Sequence, residues 1–257
     1  CGWRWWQPDC EVFAGAEFDY ERDGKESLPG GFDYDLERIK AFSASEGIQN
    51  INSVKTCIIE LGIHEHSYID LDSELMGSMN IDEHGTAVAG VITKTIQAIQ
   101  NSVVQPLLYP FKNTSFIQAI QDGCKVINLS QGAGTAVDFT PDLIAQIEAT
   151  LQAQIDSGHD FLIVAGAGNV SDNTKNWQPF ANLESVRDRI IIVSSLTYNE
   201  HFDNFSYGNN VDIVAPGRNI FTTTLSDDNE SMLGLKSGTS FATPFVSGVA
   251  SMVWGKY

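Results

Sequence analysis

Four residues with reactive side chains lie where predicted strands end or predicted helices begin. Glu60 closes an apolar segment, His84 opens a helical one, Asn169 follows a glycine-rich turn, and Ser240 stands near the start of a helix. Each alone is weak evidence, because an isolated asparagine or histidine at such a place usually has a structural role. Together they supply an acid, a base, an amide donor and a hydroxyl, which is the complete set for acyl transfer.

The segment around Ser240 suits an exposed nucleophile. It reads SGTSFATPFVSGVA over residues 237–250 and has the pattern of a helix. The first N–H groups of a helix have no intrahelical partner, so they can donate to an anion beside the hydroxyl. Gly238 allows a close approach that a side chain would block, and the first turn tolerates Pro244. An ordinary buried helix is the alternative interpretation.

Predicted strands and helices alternate along the chain. The helices cover residues 35–44, 84–97, 113–121 and 141–154, and the strands cover 54–62, 103–109, 125–129, 161–165, 189–195 and 211–214. Several strands are apolar throughout, which is typical of strands buried on both faces. The pattern predicts an α/β protein with a mostly parallel sheet covered by helices on both faces. Residues 1–34, which are aromatic and acidic, are predicted to be an extension packed on a core of residues 35–257.

Composition and charge exclude several classes of protein. A hydrophobic content of 42% and a charged content of 19% in 257 residues are those of a folded globular protein. The formal net charge of −18 makes nucleic acids and anionic membranes poor partners. No stretch of about twenty apolar residues exists, so we expect no membrane span.

The four cysteines leave the compartment open. Cys57 and Cys124 lie in or beside apolar strands, and we interpret both as buried free thiols. Cys1 and Cys10 flank a short aromatic segment, and the sequence does not decide whether they pair. Since disulfides persist only in oxidising compartments, the location depends on that pairing.

Five motifs resemble, in order and rough spacing, the motif series of the subtilisin-like serine proteases, the subtilases. They are HGTAVAG at 84–90, INLSQG at 127–132, AGN at 167–169, VAPG at 214–217 and GTSFATP at 238–244. The similarity runs from about residue 39 to residue 253. The resemblance implies a subtilisin-like three-layer fold and a serine endopeptidase that hydrolyses peptide bonds through an acyl-enzyme.

The same resemblance implies a role for each motif. Ser240 would be the nucleophile and His84 its proton acceptor, while the Asn169 amide and the Ser240 N–H would hold the oxyanion. Two walls would bind the extended substrate and form its first specificity pocket. They are Ser130, Gln131 and Gly132 on one side and Ala165, Gly166, Ala167 and Gly168 on the other. Small, uncharged walls favour a neutral or apolar residue before the scissile bond.

The triad acid departs from the family. Where the family has Asp-Thr-Gly or Asp-Ser-Gly, this chain has Glu60-Leu61-Gly62, so the triad acid would be Glu60. Glutamate is one methylene longer than aspartate, and the backbone or the side-chain rotamer must accommodate that length. Asp82 and Glu83 adjoin His84 and are poor substitutes, because chain neighbours rarely point at each other's ring.

Three hypotheses follow from this departure. The first is an active Glu60/His84/Ser240 endopeptidase. The second is a catalytically impaired pseudoprotease that binds peptides or acts as a scaffold. The third, a sedolisin-type Ser-Glu-Asp enzyme, requires a glutamate and an aspartate on the helix that here begins with His84, and the helix lacks them.

We predict no metal and no other cofactor. The helix after His84 continues without the inserted loop that often binds calcium in the family. His64-Glu65-His66 would place two imidazoles on one side of a strand, but no cysteine or group of acids accompanies them. The expected partner is a peptide or protein substrate, the expected state is a monomer, and a secreted or cell-surface location is favoured over the cytoplasm.

Overall fold

The computed structural model describes residues 34–41, 44, 52–66, 69, 81–100, 107–110, 115–131, 140–197 and 205–257. Residues 1–33 of the predicted N-terminal extension, which include Cys1 and Cys10, lie outside these residues, as does Gly132. The domain boundary at residue 35 and the pairing of the first two cysteines therefore stay predictions.

Six parallel strands form the central sheet. They are β1 (Thr56–Glu60), β2 (Leu107–Pro110), β3 (Val126–Leu129), β4 (Leu162–Gly166), β5 (Ile190–Leu196) and β6 (Ile213–Pro216), in the order β2-β1-β3-β4-β5-β6. Every neighbouring pair is parallel. Every residue of β1 and β3 and most residues of β4 and β5 are buried, as their apolar composition predicts. The α/β class is confirmed.

Helices cover both faces of the sheet. In the part of the chain that the structure describes, the α-helices are α1 (Tyr34–Arg38), α2 (Glu83–Gln100), α3 (Ser115–Gln121), α4 (Pro141–Asp156) and α5 (Thr239–Lys256). Side chains of α2 and α5 pack with one set of strand residues, and those of α3 and α4 pack with the alternate set, so that two cores flank the sheet. None of the described helices combines the length and the apolar character that crossing a bilayer requires.

The first helix is shorter than predicted and is attached to the body by a buried ion pair. Helical geometry is interrupted after Arg38, where Lys40 has a φ of 57°. Lys94 of α2 donates to the Asp35 carboxylate at 2.6 Å, and both side chains are almost fully buried. Burial raises the pKa of Asp35, although the Lys94 charge opposes that shift.

An antiparallel hairpin that the sequence did not indicate packs against the start of α2. It consists of β7 (Ile220–Leu225) and β8 (Ser231–Lys236). The hydroxyls of Thr222 and Thr223 donate to the carbonyls of Ala87 and Thr86 at 2.9 and 2.7 Å. The hairpin therefore fixes the helical turn that carries His84.

A disulfide joins Cys57 to Cys124, so the interpretation of both as free thiols is wrong. Cys57 lies in β1, and Cys124 precedes β3, its parallel neighbour. This register brings the two Cα atoms to 6.0 Å, a separation that suits a disulfide. Apolar surroundings alone indicated burial and could not show that the two sulfur atoms meet.

Candidate active site

The four candidate residues occupy the edge of the sheet at which the parallel strands end. Glu60 is the last residue of β1, and Asn169 follows β4 by three residues. His84 and Ser240 lie in the first turns of α2 and α5. In open α/β sheets, the carboxyl ends of the strands and the helix N-termini after them form the common place for a site.

Glu60 and His84 are in direct contact. Oε2 of Glu60 lies 3.1 Å from Nδ1 of His84, and the carboxylate is fully buried whereas the imidazole side chain is 33% exposed. Gly85 makes this approach possible, because a Cβ there would lie 2.0 Å from the carbonyl oxygen of Gly62. An Nδ1–H that donates to Glu60 leaves Nε2 unprotonated and able to act as a base.

The pKa of His84 reflects opposing influences. Burial favours the neutral imidazole, but the hydrogen bond and charge of Glu60, with the charge of Asp82, outweigh it and raise the pKa of His84 above its ordinary value. The Lys236 charge acts in the same direction as burial. Asp82 also accepts from the His84 backbone N–H at 3.2 Å and so caps the start of α2.

The hydroxyl of Ser240 is bonded to a wall of the predicted substrate cleft. Its Oγ donates to the Ser130 carbonyl at 3.0 Å, and the Ser130 hydroxyl donates to the Ser240 carbonyl at 2.8 Å. Within the described residues, the hydrogen bonds of Ser240 do not include one to His84. The imidazole lies against the ring of Phe241, with centroids 5.5 Å apart. In this arrangement the hydroxyl proton of Ser240 is directed to Ser130 and not to His84.

Asn169 is oriented through its carbonyl. Oδ1 accepts from the Thr239 N–H at 2.8 Å and from the Thr239 hydroxyl at 3.0 Å, which leaves the amide NH₂ as the outward donor. Gly238, with a φ of 152°, lets the chain pass close by, because a Cβ there would lie 3.2 Å from Nδ2. The Ser240 N–H lies in the first turn of α5, before intrahelical bonding begins.

The two predicted walls are held together by a residue that sequence reasoning missed. Gln178 is almost fully buried, and its Nε2 donates to the carbonyls of Gln131 and Gly166 at 3.2 and 3.0 Å. Its Oε1 accepts from the Phe180 N–H at 3.4 Å. No local sequence signal distinguishes this glutamine, since both of its carbonyl partners are distant in the chain.

The remaining wall residues are tied to the same framework. Ala165 is fully buried within β4. The carbonyl of Ala167 accepts from the Thr174 hydroxyl at 2.8 Å, and the Gly168 N–H donates to the Thr239 hydroxyl at 3.2 Å. Gly132 lies outside the described residues.

Residues 64–257 match the model of the subtilase family (peptidase family S8). The chain belongs to the subtilase family. The matched segment includes His84, Asn169 and Ser240 but begins after Glu60. It therefore does not bear on the identity of the acid.

Relatives share between a quarter and a third of the sequence. A subtilisin-like protease 1 of Pseudogymnoascus destructans is 28% identical over 77% of this subtilase and 51% of its own length. Subtilisin BL of Lederbergia lenta is 29% identical over 89% of this chain and 84% of its own. The chain thus spans about half the length of the first of these relatives.

A solved structure agrees with the fold. The crystal structure of a lanthipeptide protease superposes with a TM-score of 0.65 and 18% identity, covering 88% of this chain and 80% of that one. At this identity the similarity shows the fold alone. The subtilisin-like architecture predicted from the motifs is confirmed.

Several possible metal ligands in this subtilase already bond to protein groups, although Glu60 Oε1 and Asp82 Oδ2 are buried without a partner among the described residues. Among the described residues, one trio brings three ligand atoms within 4.8 Å of one another, formed by Glu60, Asp82 and His84. The contact between Glu60 and His84 already uses two of these side chains. In the predicted histidine pair, a ring nitrogen of the buried His66 lies 2.7 Å from the Met232 carbonyl, and burial lowers the pKa of His66. A ring nitrogen of His64 lies 2.6 Å from the Glu65 carbonyl.

Proposed function

We propose that this subtilase is a serine endopeptidase with Glu60, His84 and Ser240 as its triad. The observation that carries the proposal is the contact of the buried Glu60 carboxylate with Nδ1 of His84, whose ring lies against that of Phe241, the residue after Ser240. A fixed carboxylate on Nδ1 selects the tautomer in which Nε2 is the base, and it stabilises the imidazolium that forms.

The reaction follows from these groups. Ser240 Oγ attacks the substrate carbonyl carbon while its proton passes to Nε2 of His84. The tetrahedral intermediate collapses, the C–N bond breaks, and the imidazolium returns the proton to the leaving amine. Water then attacks the acyl-enzyme while His84 accepts a proton from it. The ester bond to Ser240 breaks, the imidazolium returns the proton to Ser240 Oγ, and the acid is released.

Asn169 and the Ser240 N–H are proposed to bind the negative oxygen of each tetrahedral intermediate. The anchoring of Asn169 Oδ1 by Thr239 supports this role, because it orients the amide donors before substrate arrives. Preorganised donors stabilise the developing charge without reorganisation, and one such donor typically contributes about 3 kcal/mol.

The second candidate function is a pseudoprotease that binds peptides without cleaving them. Two observations favour it: the acid is a glutamate, and the Ser240 hydroxyl is bonded to Ser130 and not to His84. The second observation is compatible with catalysis, because an extended peptide whose N–H donates to the Ser130 carbonyl would displace the Ser240 hydroxyl from it. The active enzyme therefore remains the better supported function.

Labelling with a fluorophosphonate probe, together with hydrolysis of a peptide library, separates the two functions. We expect the wild type and a Ser157→Ala control, which alters an exposed serine at the end of α4, to be labelled and active. Ser240→Ala should be neither labelled nor active, and His84→Ala should be inactive, both with the wild-type melting temperature. An unlabelled, inactive wild type that still binds peptides would establish the pseudoprotease.

The cleft supports a neutral or apolar residue before the scissile bond. Ala165, Gly166 and Ala167 are small and uncharged, and the amide of Gln178 is engaged by both walls. A cleavage profile dominated by lysine, arginine, aspartate or glutamate at that position would contradict this assignment.

We also propose that the protein acts as a monomer outside the cytoplasm. The Cys57–Cys124 disulfide supports an oxidising compartment, and the net charge of −18 argues against nucleic-acid partners. Light scattering would test the monomer. Thiol titration of protein isolated under alkylating conditions would test the disulfide, and two reactive thiols at these positions would oppose the location.

A further inference from the structure

The side chain of Gln131 reaches the proposed triad instead of only lining the substrate cleft. Its Nε2 donates to Oε2 of Glu60 at 2.5 Å and lies 3.3 Å from Nδ1 of His84. Both nitrogens are donors when Nδ1 carries the proton, so two N–H groups converge on one carboxylate oxygen. The other oxygen of Glu60 is buried and has no partner among the described residues.

The hydrogen bond from Gln131 restricts the orientation of the Glu60 side chain, which is longer than the aspartate usual in the family. Glutamate has one more rotatable bond than aspartate, so its carboxylate has more freedom to lose when it is held in one orientation. A hydrogen bond to an ionised acceptor is shorter and stronger than one between neutral groups. The Gln131 amide can therefore select the orientation in which Oε2 faces the imidazole.

The main chain of Gln131 is held independently of its side chain. Its carbonyl accepts from the buried Gln178, which also bonds Gly166 on the opposite wall. The preceding residue, Ser130, exchanges hydrogen bonds with Ser240. The amide of Gln131 thus extends from a fixed point of the cleft toward the acid.

We propose that Gln131 is a positioning residue, which fixes the Glu60 carboxylate against Nδ1 of His84 and so adapts the triad to a glutamate. This proposal rests on the serine protease function proposed above. It assigns Gln131 two separate tasks, with its main chain in the cleft wall and its side chain on the acid.

The kinetic test replaces Gln131 by methionine, which keeps the length and removes the amide. We expect Gln131→Met to lower kcat about tenfold, within the range of barrier changes that single interactions produce. KM should be unchanged, because the main-chain wall is retained. In a Glu60→Ala background, where no carboxylate remains to be positioned, the same substitution should have almost no further effect.

A matched control is Gln152→Met on α4. Gln152 is exposed, and its Nε2 donates to the Asp156 carboxylate at 2.9 Å, the same kind of bond far from the cleft. Its loss should change neither kcat nor KM. An equal effect of Gln131→Met in the wild-type and Glu60→Ala backgrounds, or a rise in KM alone, would overturn the proposal and leave Gln131 as a wall residue.

Proton NMR gives a readout that does not need turnover. The His84 Nδ1–H bonded to a carboxylate should give a downfield, exchange-protected signal that is absent from His84→Ala. We expect this signal to broaden or move in Gln131→Met and to persist unchanged in Gln152→Met. An inactive wild type whose signal still depends on Gln131 would defeat the proposed function but not the positioning role, and an unmoved signal would defeat the positioning role.

Discussion

Replacing Glu60 by glutamine removes the charge proposed to stabilise the His84 imidazolium. At the 3.1 Å separation of Oε2 and Nδ1, two unit charges attract by about 5 kcal/mol at an effective dielectric constant of about 20. Solvent screening reduces this value, because 33% of the imidazole side chain is exposed. The glutamine also retains one oxygen acceptor. We therefore expect a loss of about 3 to 4 kcal/mol, which is roughly 10² to 10³-fold in kcat/KM.

The pH dependence of the same variant tests the electrostatic reasoning. The base must be neutral, so activity falls as the pH drops through the pKa of His84. Glu60 raises that pKa, which places the acid limb of the wild type above the ordinary histidine value. Glu60→Gln removes the raising influence of Glu60 and leaves only the smaller one of Asp82, while burial still lowers the pKa of His84, so the limb should move to lower pH.

The assay is steady-state hydrolysis of a chromogenic peptide between acid and alkaline pH. Glu60→Asp keeps the charge and should remain within about tenfold of the wild type, or about 1.4 kcal/mol of barrier. Glu184→Gln removes an exposed carboxylate and serves as the control for net charge. A Glu60→Gln enzyme with wild-type kcat/KM and an unmoved acid limb would refute Glu60 as the acid. An inert wild type that becomes active as Glu60→Asp would favour the pseudoprotease.

Three further predictions concern the oxyanion, the disulfide and metals. Asn169→Leu should lower kcat roughly 10² to 10³-fold with little change in KM, and a rise in KM alone would place Asn169 in ordinary substrate binding. Replacing Cys57 and Cys124 by alanine should lower the free energy of unfolding by about 4 kcal/mol, because the disulfide closes a loop with a sequence separation of 67. The comparison is made in a Ser240→Ala background to prevent self-digestion, and equal denaturation midpoints with and without the cysteines would contradict it. Activity should survive EDTA, since α2 runs uninterrupted from Glu83 to Gln100 and forms no carboxylate-rich loop there; a fall in melting temperature that calcium restores would show a site elsewhere.

Local pattern and motif order were enough to predict the fold. Strand-forming apolar runs alternate with helical segments, and such an alternation has few arrangements other than a parallel sheet between helices. The same logic brings Glu60 and His84 together, because β1 is followed in the chain by α2, and the end of a strand and the start of the next helix lie at one edge of such a sheet. It failed for the hairpin of β7 and β8, whose stabilising threonine hydroxyls bond to a helix more than a hundred residues away.

The sequence by itself determined the family and the α/β class and supplied the set of groups proposed to perform acyl transfer, because these depend on residue types and their order. Only the tertiary structure decided which groups meet across strands and loops. The register of β1 beside β3 places Cys57 next to Cys124. The buried position of Gln178 between the two walls lets its amide bond to a carbonyl of each. The main chain of Gln131 is held where the side-chain amide reaches Glu60. Each of these contacts joins residues remote in the chain, and their distances are set by packing of the whole domain.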